Sequence, residues 1–541
     1  MKLYTKDYVT FKFIDVNGES VKECHGIEHI DHALPGDDVS LDGSLIRRTD
    51  HPPLVGIIHF ASKIKYGITS KGVPIYLFEP IHKAYPIMIA GSTEKGATTN
   101  KIGIARFDSW DKDAKYPRAS LIRILGPCGE ERIEKEALLS RYSPWPYPKE
   151  YSLSPNYSKE LSSRKLLEGF TFNIDPPGCE DVDDVVTLKQ NSMDEWTLTI
   201  SITDVASGIE DGSILDLYSQ KVGQSLYPSS QAPRHMLPSS IGIKELSLLP
   251  GLERNCISLS ITWSLKDGIT TTQWLLTKVK VDKAYTYTQA RNDNGVYMKV
   301  LSSIIDSMAG KAIMTSEEWV ETLMIYYNKE AGKLLKSHTT GILRNHSEPE
   351  KERLRKWTRI HPDLEKLAYL SAEYVPANSL GRHWGLDLNE YAHASSPLRR
   401  YADLHNQRCL LAILQGTSLP PLAPSLCKDL NLLQKGAKAF ERDMFFLECL
   451  ANSKTQMVEA TLLEIHEIKQ TLHFWVPIWN RVIRVKSTLS IESDLVKIIQ
   501  KDTSDSFEIT VGNNYKLDYY IQYQNAQWKD RILFHVSPPH K

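Results

Sequence analysis

The sequence lacks closely spaced cysteines, long apolar runs and an excess of charge of either sign. Its seven cysteines are scattered singly with no Cys-x-x-Cys motif, which argues against a zinc site and a disulfide framework. No apolar run approaches the length of about 18 residues that spans a membrane. The 65 basic and 66 acidic residues give a net charge of −1, so composition alone gives no evidence of nucleic-acid binding.

The chain begins with MKLYTKDYVTFKF, which alternates like a strand and has neither the apolar core of a signal peptide nor the character of a transit peptide. We therefore expect a cytoplasmic protein with no membrane partner and with reduced thiols. At 541 residues the chain is too long for one hydrophobic core, and several domains are expected.

Short β-like runs separated by turn residues fill the first 145 residues and return near the C-terminus, whereas the middle mixes strands with long helices. Evenly spaced short strands favour small barrels. Residues 140–158 carry several prolines and read as a linker, with aromatic side chains that dock on neighbouring domains. The predicted boundaries are 1–52 for a short β region, 53–145 for a small barrel, 146–160 for the linker, 161–452 for an α/β domain and 453–541 for a second barrel.

An acidic stretch is the most informative part of the chain. Two β-like runs flank a Pro-Pro-Gly turn, and five carboxylates lie within ten residues, among them Asp175, Asp181, Asp183 and Asp184. Like charges at this density are unfavourable unless cations compensate them. Magnesium prefers hard carboxylate oxygens, and two such ions can promote phosphodiester cleavage. A solvated acidic loop is the alternative, and the spacing does not match an EF-hand.

Several ordered blocks give the sequence its resemblance to a known family. Ile174-Asp175-Pro176, followed by Asp181-Val182-Asp183-Asp184, resembles the signature of the RNB domain of ribonuclease II, ribonuclease R and the catalytic exosome subunit. The later blocks occur in the family's order: 202–206 (Ile-Thr-Asp-Val-Ala), 225–228 (Ser-Leu-Tyr-Pro), 236–238 (Met-Leu-Pro), 246–251 (Leu-Ser-Leu-Leu-Pro-Gly) and 393–404 (His-Ala-Ser-Ser-Pro-Leu-Arg-Arg-Tyr-Ala-Asp-Leu).

The resemblance implies roles for the aspartates. Asp175 and Asp184 would be the principal magnesium ligands, with Mn²⁺ able to take the place of Mg²⁺. Asp181 would be a further ligand, direct or through water. Asp183 would orient the attacking water or the second ion.

The resemblance also implies contacts with RNA. Arg399 would stabilise charge at the scissile phosphate, and Tyr227 would stack on a base near the 3′ end. Arg400 and Glu441 would lie at the RNA site. A surface helix position is the alternative for Arg399, Arg400 and Glu441, and core packing is the alternative for Tyr227. His393 is expected to be structural.

The implied architecture is multidomain: a partial OB-like β region (1–52), a cold-shock-like OB-fold barrel (53–145), a central α/β RNB catalytic domain (161–452) and a C-terminal OB-fold barrel (453–541). OB-folds bind single strands through aromatic and basic residues. The sequence supplies that mix at Lys63–Tyr66 and at Trp475–Lys486, with Trp479, Arg481, Arg484 and Lys486. Tryptophan and arginine are equally common in ordinary barrel cores and rims, which is the alternative for these residues.

The implied function is a hydrolytic exoribonuclease that degrades single-stranded RNA from a free 3′ end to nucleoside 5′-monophosphates. A catalytically silent RNA-binding scaffold is the first alternative, and a nuclease that acts on DNA or endonucleolytically is the second. The sequence identifies no protein partner.

Overall fold

A computed structural model of the chain describes residues 1–15, 18–94, 98–229, 231–451, 456–492, 495–499, 506–521 and 528–538. The chain divides into two compact units. The first contains residues 1–145, 349–369 and 438–541, and the second contains residues 146–348 and 370–437. Among the described helices, none is both long enough and apolar enough to cross a membrane.

The N-terminal region forms a five-stranded sheet in the order β3-β2-β1-β4-β5. Side chains of a strand point alternately to its two faces, so Phe11 and Phe13 are buried while Lys12 between them is not. Five strands is the number found in an OB-fold, although the sequence predicted only a partial OB-like region for these residues. The strands are β1 (Lys2–Thr5), β2 (Thr10–Ile14), β3 (Ser20–His25), β4 (Asp38–Val39) and β5 (Leu45–Arg47).

The next region is a closed barrel of order β10-β8-β7-β6-β9. It is followed by helix α1 (Glu131–Tyr142), which packs Ile133 and Ala137 against barrel residues. The barrel confirms the predicted OB-fold architecture. Its strands are β6 (Leu54–Ile58), β7 (Ile75–Pro80), β8 (Met88–Gly91), β9 (Lys101–Ser109) and β10 (Arg118–Pro127).

The proline-rich segment ahead of the second unit's first helix has no regular secondary structure before residue 157. Two of its tyrosines contact residues of the second unit, in agreement with the prediction that aromatic side chains of this segment dock on a neighbouring domain. The Tyr147 hydroxyl donates to the His235 carbonyl at 2.7 Å, and the Tyr151 hydroxyl lies 3.0 Å from Ser240 Oγ. The segment therefore follows the surface of the unit that carries the acidic stretch.

The second unit is built on a seven-stranded sheet of order β11-β16-β15-β14-β13-β12-β17. The elements from residue 157 to 451 are α2 (Tyr157–Ser163), β11 (Lys165–Leu166), β12 (Phe170–Asp175), β13 (Asp184–Gln190), β14 (Glu195–Thr203), α3 (Val205–Gly208), α4 (Ile214–Val222), α5 (Ser239–Ile241), β15 (Glu253–Ser264), β16 (Gly268–Lys280), β17 (Lys283–Thr286), α6 (Tyr287–Asn292), α7 (Val296–Ala309), α8 (Ser316–Ser337), β18 (Ile342–Asn345), α9 (Lys351–Ile360), β19 (Glu373–Pro376), α10 (Tyr401–Gln415) and α11 (Leu426–Ala451).

Helix α8 shows how the sequence specifies this core. Thr315 and Glu318 form a capping box that satisfies free N–H groups at its first turn. Trp319, Leu323 and Tyr327 then recur every four residues and are buried, because this spacing places them on one helix face. They join a core with side chains of the central strands and of α7 and α10.

The C-terminal region returns to β structure, which confirms the predicted fold class. Five strands form a sheet of order β22-β21-β20-β26-β27, and three form a second sheet of order β23-β24-β25. The predicted boundary at 452/453 lies at residues 452–455, outside the described part. The strands are β20 (Met457–His466), β21 (Thr471–Val476), β22 (Arg481–Lys486), β23 (Thr488–Glu492), β24 (Leu495–Ile499), β25 (Ser506–Ile509), β26 (Asn514–Ile521) and β27 (Ile532–Val536).

Helix α9 and the turn after it pack with this C-terminal sheet, although the sequence places them within the α/β domain. Leu364 joins Leu463 and Trp475 in a small buried cluster. Residues 349–369 accordingly cluster with the barrels rather than with the second unit.

A buried ion pair supports the end of β14. Asp204 is fully buried and caps α3 by accepting a hydrogen bond from the Ser207 N–H. Its other oxygen accepts a hydrogen bond from Arg164 Nη2 at 2.5 Å. We expect Arg164→Ala to lower the free energy of unfolding by about 3–5 kcal/mol, because it leaves a buried carboxylate without its cation. Lys189→Ala breaks an exposed pair with Glu168 and should leave the free energy of unfolding nearly unchanged, because water screens this pair. Equal losses in urea unfolding of the two variants would contradict this assignment.

Candidate active site and metal centre

The acidic loop joins two neighbouring strands of the central sheet. Asp175 is the last residue of β12 and Asp184 is the first of β13, and the two strands are antiparallel. A turn starts the loop: the Cys179 N–H donates to the Pro176 carbonyl at 3.2 Å. Pro177 and Gly178, with φ of +78° at the glycine, occupy the central positions that a type II turn favours for these residues.

Residues 246–251 hold this loop through three hydrogen bonds. Ser247 Oγ accepts from the Val182 N–H at 2.9 Å and donates to the Glu180 carbonyl at 2.8 Å. The Leu248 N–H donates to the Val182 carbonyl at 3.0 Å. Two family-like blocks that are distant in sequence are thus joined by hydrogen bonds, which fix the backbone that carries the aspartates.

Asp183 is the most buried of the four aspartates, with 4% of its surface exposed. Its Oδ1 accepts from the Leu398 N–H at 2.9 Å and its Oδ2 from Arg399 Nε at 3.2 Å. Burial raises the pKa of Asp183 to about 7, although the charge of Arg399 opposes the shift. The carboxyl group is held in one orientation by partners from the 393–404 block.

Asp181 is held by two residues of another segment of the chain, Tyr227 and His235. Its Oδ2 accepts a short hydrogen bond from the Tyr227 hydroxyl and lies 3.4 Å from His235 Nδ1. Burial alone would raise its pKa, but the bonds from His235 and Tyr227 outweigh burial and lower it. Asp181 is therefore an ionised carboxylate with an anchored side chain.

Asp175 and Asp184 are two buried carboxyl groups whose negative charges repel each other. Burial raises the pKa of both, and the negative charge of Asp175 raises the pKa of Asp184 further. Asn173 Nδ2 donates to Asp175 Oδ2 at 2.7 Å. Among the described residues, no three of the four aspartates have carboxylate oxygens within 4.8 Å of one another.

The donor set suits a hard divalent cation. Carboxylate oxygens are the preferred ligands of Mg²⁺ and Mn²⁺. The buried Asn173 Oδ1 has no hydrogen-bond partner in the described part of the chain, so a further oxygen lies next to Asp175 without a donor. These residues fit a metal, which would require the carboxylates to draw closer than they lie here.

The two neighbouring arginines have different surroundings. Arg399 has 45% of its side chain exposed, and its Nη2 donates to Ser396 Oγ at 3.0 Å. Arg400 forms a bidentate pair with the fully buried Asp403, with both bonds at 2.8 Å. Arg399 can reach a ligand, whereas Arg400 is engaged in the fold and its RNA contact stays a prediction.

The remaining predicted residues have mixed outcomes. The Tyr227 side chain is 44% exposed, which leaves its ring accessible for stacking. Glu441 is exposed on α11, in the part of the chain that clusters with the barrels, and its place at the site stays a prediction. His393 Nδ1 lies 3.0 Å from the Tyr374 hydroxyl, as expected of a structural histidine. The RNA contact predicted for Trp479 is wrong, because its ring is 3% exposed and packs on Phe446.

Sequence reasoning missed two residues that position the aspartates. His235 approaches Asp181, and Asn173 bonds Asp175. Asn173 lies two residues before Asp175 on β12, so strand periodicity could have placed it on the same face. His235 directly precedes the 236–238 block, but no local pattern links it to Asp181.

Comparisons with known proteins match two parts of the chain to known domains. The sequence profile of the RNB domain matches residues 163–294 and 299–416, and that of the Dis3-like cold-shock domain 2 (CSD2) matches residues 75–143. The exosome complex exonuclease RRP44 homolog A of Arabidopsis thaliana is 24% identical and is matched over 65% of this chain and 48% of its own length. Ribonuclease R of Buchnera aphidicola is 25% identical, over 55% of this chain and 53% of its own. The chain thus spans about half the length of these relatives.

Solved structures share the fold at lower identity. Mycoplasma genitalium RNase R in complex with ribose methylated single-stranded RNA has a TM-score of 0.73 and 15% identity, with 98% of each chain covered. Yeast Ssd1, described as a pseudonuclease, has a TM-score of 0.66 and 16% identity, with 92% of this chain and 81% of its own covered.

The electrostatics of the loop predict a metal-dependent stability. In EDTA, Asp184→Asn should raise the Tm by several °C, because it removes one of two repelling buried carboxylates. Added Mg²⁺ should raise the Tm of the wild type and have a much smaller effect on Asp184→Asn, since a ligand stabilises only the state that binds it.

The matched control is Asp194→Asn, at an exposed turn position, which should behave as the wild type in both conditions. A Mg²⁺ response that is the same in Asp184→Asn and the wild type would place the cation elsewhere. Thermal unfolding followed by circular dichroism measures both effects.

Proposed function

The chain belongs to the RNB-domain family, and from that premise we propose that it is a 3′-to-5′ hydrolytic exoribonuclease that degrades single-stranded RNA to nucleoside 5′-monophosphates. The observation that carries the proposal is the site itself. Asp175, Asp183 and Asp184 all interact with the charge of Arg399, and the exposed guanidinium of Arg399 is bonded to Asp183, the most buried of the four aspartates.

The reaction would be the attack of a water molecule on the phosphorus of the last phosphodiester. The bond from phosphorus to the 3′ oxygen of the preceding nucleotide breaks, that oxygen takes a proton, and a nucleoside 5′-monophosphate leaves. Mg²⁺ bound by Asp175 and Asp184, with Asp181 as a direct or water-bridged ligand, would supply activation of the water and stabilisation of the departing oxygen.

The chain's own residues would orient the reactants. The Leu398 N–H and Arg399 hold the Asp183 carboxylate, and a carboxyl group whose pKa lies near neutrality is suited to accept a proton from water. The remaining N–H groups of Arg399 would bind the phosphate oxygens, where its planar fork stabilises developing charge.

The 3′-terminal base would stack on Tyr227. Its ring is exposed while its hydroxyl is tied to Asp181, so stacking would couple the position of the base to a carboxylate of the site. Stacking and phosphate contacts carry little sequence information, and the proposed enzyme would act on RNA of any sequence.

The barrel matched by the cold-shock profile offers a surface for the strand. A cavity of about 590 Å³ on β8 and β10 is lined by Lys71, Arg118 and Arg123 together with Thr69 and Ser70. Basic and hydroxyl groups of this kind bind the phosphate backbone of a single strand. We propose that this barrel contributes affinity and not base specificity.

A catalytically silent RNA-binding scaffold is the competing function. The shared fold of yeast Ssd1, a pseudonuclease, is the observation that favours it. The retention of all four aspartates and Arg399 supports the enzyme instead, because a scaffold has no need of repelling carboxylates.

The decisive experiment uses 5′-labelled single-stranded RNA with Mg²⁺. The wild type should produce a ladder that shortens from the 3′ end and release nucleoside 5′-monophosphates. Asp184→Asn should lose activity by at least about 1,000-fold, as expected when a metal ligand is removed from the reacting centre. Asp194→Asn should retain full activity.

Two further substrates separate the alternatives. RNA blocked at its 3′ end should resist degradation, and DNA of the same sequence should remain intact. Binding without cleavage by the wild type would establish the scaffold, and internal cuts in the blocked RNA would establish an endonuclease.

The adjacent arginines give a second, independent test. Arg399→Ala should lower kcat by about 100–1,000-fold through loss of charge stabilisation and should lower the Tm by less than Arg400→Ala does, because Asp183 keeps its hydrogen bond from the Leu398 N–H. Arg400→Ala should instead destabilise the fold by about 3–5 kcal/mol, because Asp403 would be buried without a cation. Paired kinetics and thermal unfolding of the two variants measure the contrast, and a reversed pattern would exclude the assigned roles.

A further inference from the structure

Three side chains converge at the end of the β20–β21 hairpin, far along the chain from the acidic loop. His466 Nε2 lies 3.3 Å from His473 Nδ1 and 3.4 Å from Glu464 Oε2. His473 Nδ1 lies 3.3 Å from the same Glu464 oxygen. Among the described residues, these are the only three His, Cys, Asp or Glu side chains whose ligand atoms all lie within 4.8 Å of one another.

Strand pairing produces this convergence. Glu464 and His473 are directly opposite each other on antiparallel strands, where facing side chains are nearest neighbours. His466 lies two residues after Glu464 on β20, so it points to the same face.

The turn that closes the hairpin is also fixed. Gln470 adopts φ of +49°, and its N–H donates to the Glu467 carbonyl. Its side-chain oxygen accepts from the Leu489 N–H at 2.6 Å, and its carbonyl accepts from the Ser487 N–H at 3.1 Å. The three ligand atoms are therefore presented by a rigid support.

The distances between the three ligand atoms match those around a tetrahedral metal ion. A tetrahedral zinc ion binds imidazole nitrogen and carboxylate oxygen at about 2.0–2.1 Å, which places neighbouring ligand atoms about 3.3–3.4 Å apart. The three distances between His466 Nε2, His473 Nδ1 and Glu464 Oε2 are 3.3, 3.3 and 3.4 Å and have this length. The hairpin thus presents one face of a tetrahedron.

Surrounding groups arrange the ligands. Lys356 of α9 bonds Glu464 through Oε1 and so leaves Oε2 directed at the two imidazoles. A metal binds the neutral form of each imidazole ring.

We propose that Glu464, His466 and His473 bind one divalent transition-metal ion of the zinc class. Two imidazoles and one carboxylate favour zinc, cobalt or nickel over magnesium. The side chains are 28%, 42% and 20% exposed respectively, so the fourth position faces solvent and holds water. The site differs from thiolate zinc sites, which the scattered cysteines argue against, and it does not depend on the proposed nuclease activity.

The alternative is a hydrogen-bonded cluster in which one imidazole proton is shared. It accounts for contacts of 3.3–3.4 Å but predicts no selective affinity for transition metals. Metal binding by the whole chain therefore distinguishes the two.

The experiment titrates Co²⁺ into the full chain in the Asp184→Asn background with excess Mg²⁺ present, so that the aspartate site contributes little. One Co²⁺ per chain with the visible absorption of a low-symmetry N,O site is expected, and Zn²⁺ should displace it. His466→Ala and His473→Ala should each weaken binding by at least about 100-fold, since loss of even an outer partner of a ligand costs 10–100-fold.

His535→Ala is the matched control, because His535 is exposed on β27 of the same sheet and stacks on Tyr520. It should bind Co²⁺ as the parent does. Zn²⁺ should also raise the Tm of the parent but not that of His466→Ala, and circular dichroism in EDTA shows whether each variant is folded. Co²⁺ binding that is absent, or equal in His466→Ala and the parent, would overturn the proposal, whatever the outcome of the RNA assays.

Discussion

The repulsion between the carboxylates at the ends of β12 and β13 is the constraint on which the second unit depends. Asp175 and Asp184 are close enough for one charge to raise the pKa of the other, and burial raises the pKa of both. Arg399 brings a positive charge, but its Nε is bonded to Asp183. A loop with this electrostatic cost persists only when neighbouring structure holds it in place. That support comes from Ser247 and from the Leu398 N–H.

The residues around the site divide by burial into those that hold the fold and those that can meet a substrate. Arg400 and Asp403 form a pair with no exposed carboxylate surface, and removal of either partner would leave a buried charge. Arg399, one position earlier, has nearly half of its side chain exposed. Of the two neighbouring arginines, Arg400 therefore stabilises the fold, whereas Arg399 remains available to a ligand.

Much of this could be predicted from the sequence. The acidic loop is framed by β-branched runs and a Pro-Pro-Gly turn, so local preferences alone indicate two strands and a reversal. Helix α8 has apolar residues at helical spacing, so its buried face can be recognised from the sequence. What local patterns could not provide are contacts between distant segments, such as His235 with Asp181 or Ser247 with Glu180. Those contacts follow from packing of the whole unit.

Burial explains the wrong prediction and the overlooked cluster alike. Trp479 and nearby arginines match the composition of an RNA-binding barrel face, yet the same composition fills a barrel core, and the ring is buried. Glu464, His466 and His473 have no recognisable spacing as a linear motif, because His473 joins the other two only through strand register. Register places a residue opposite a partner that sequence distance does not reveal. For the acidic loop and the hairpin, ligand type then separates the chemistry: clustered carboxylates favour a hard cation, whereas paired imidazoles favour a softer one.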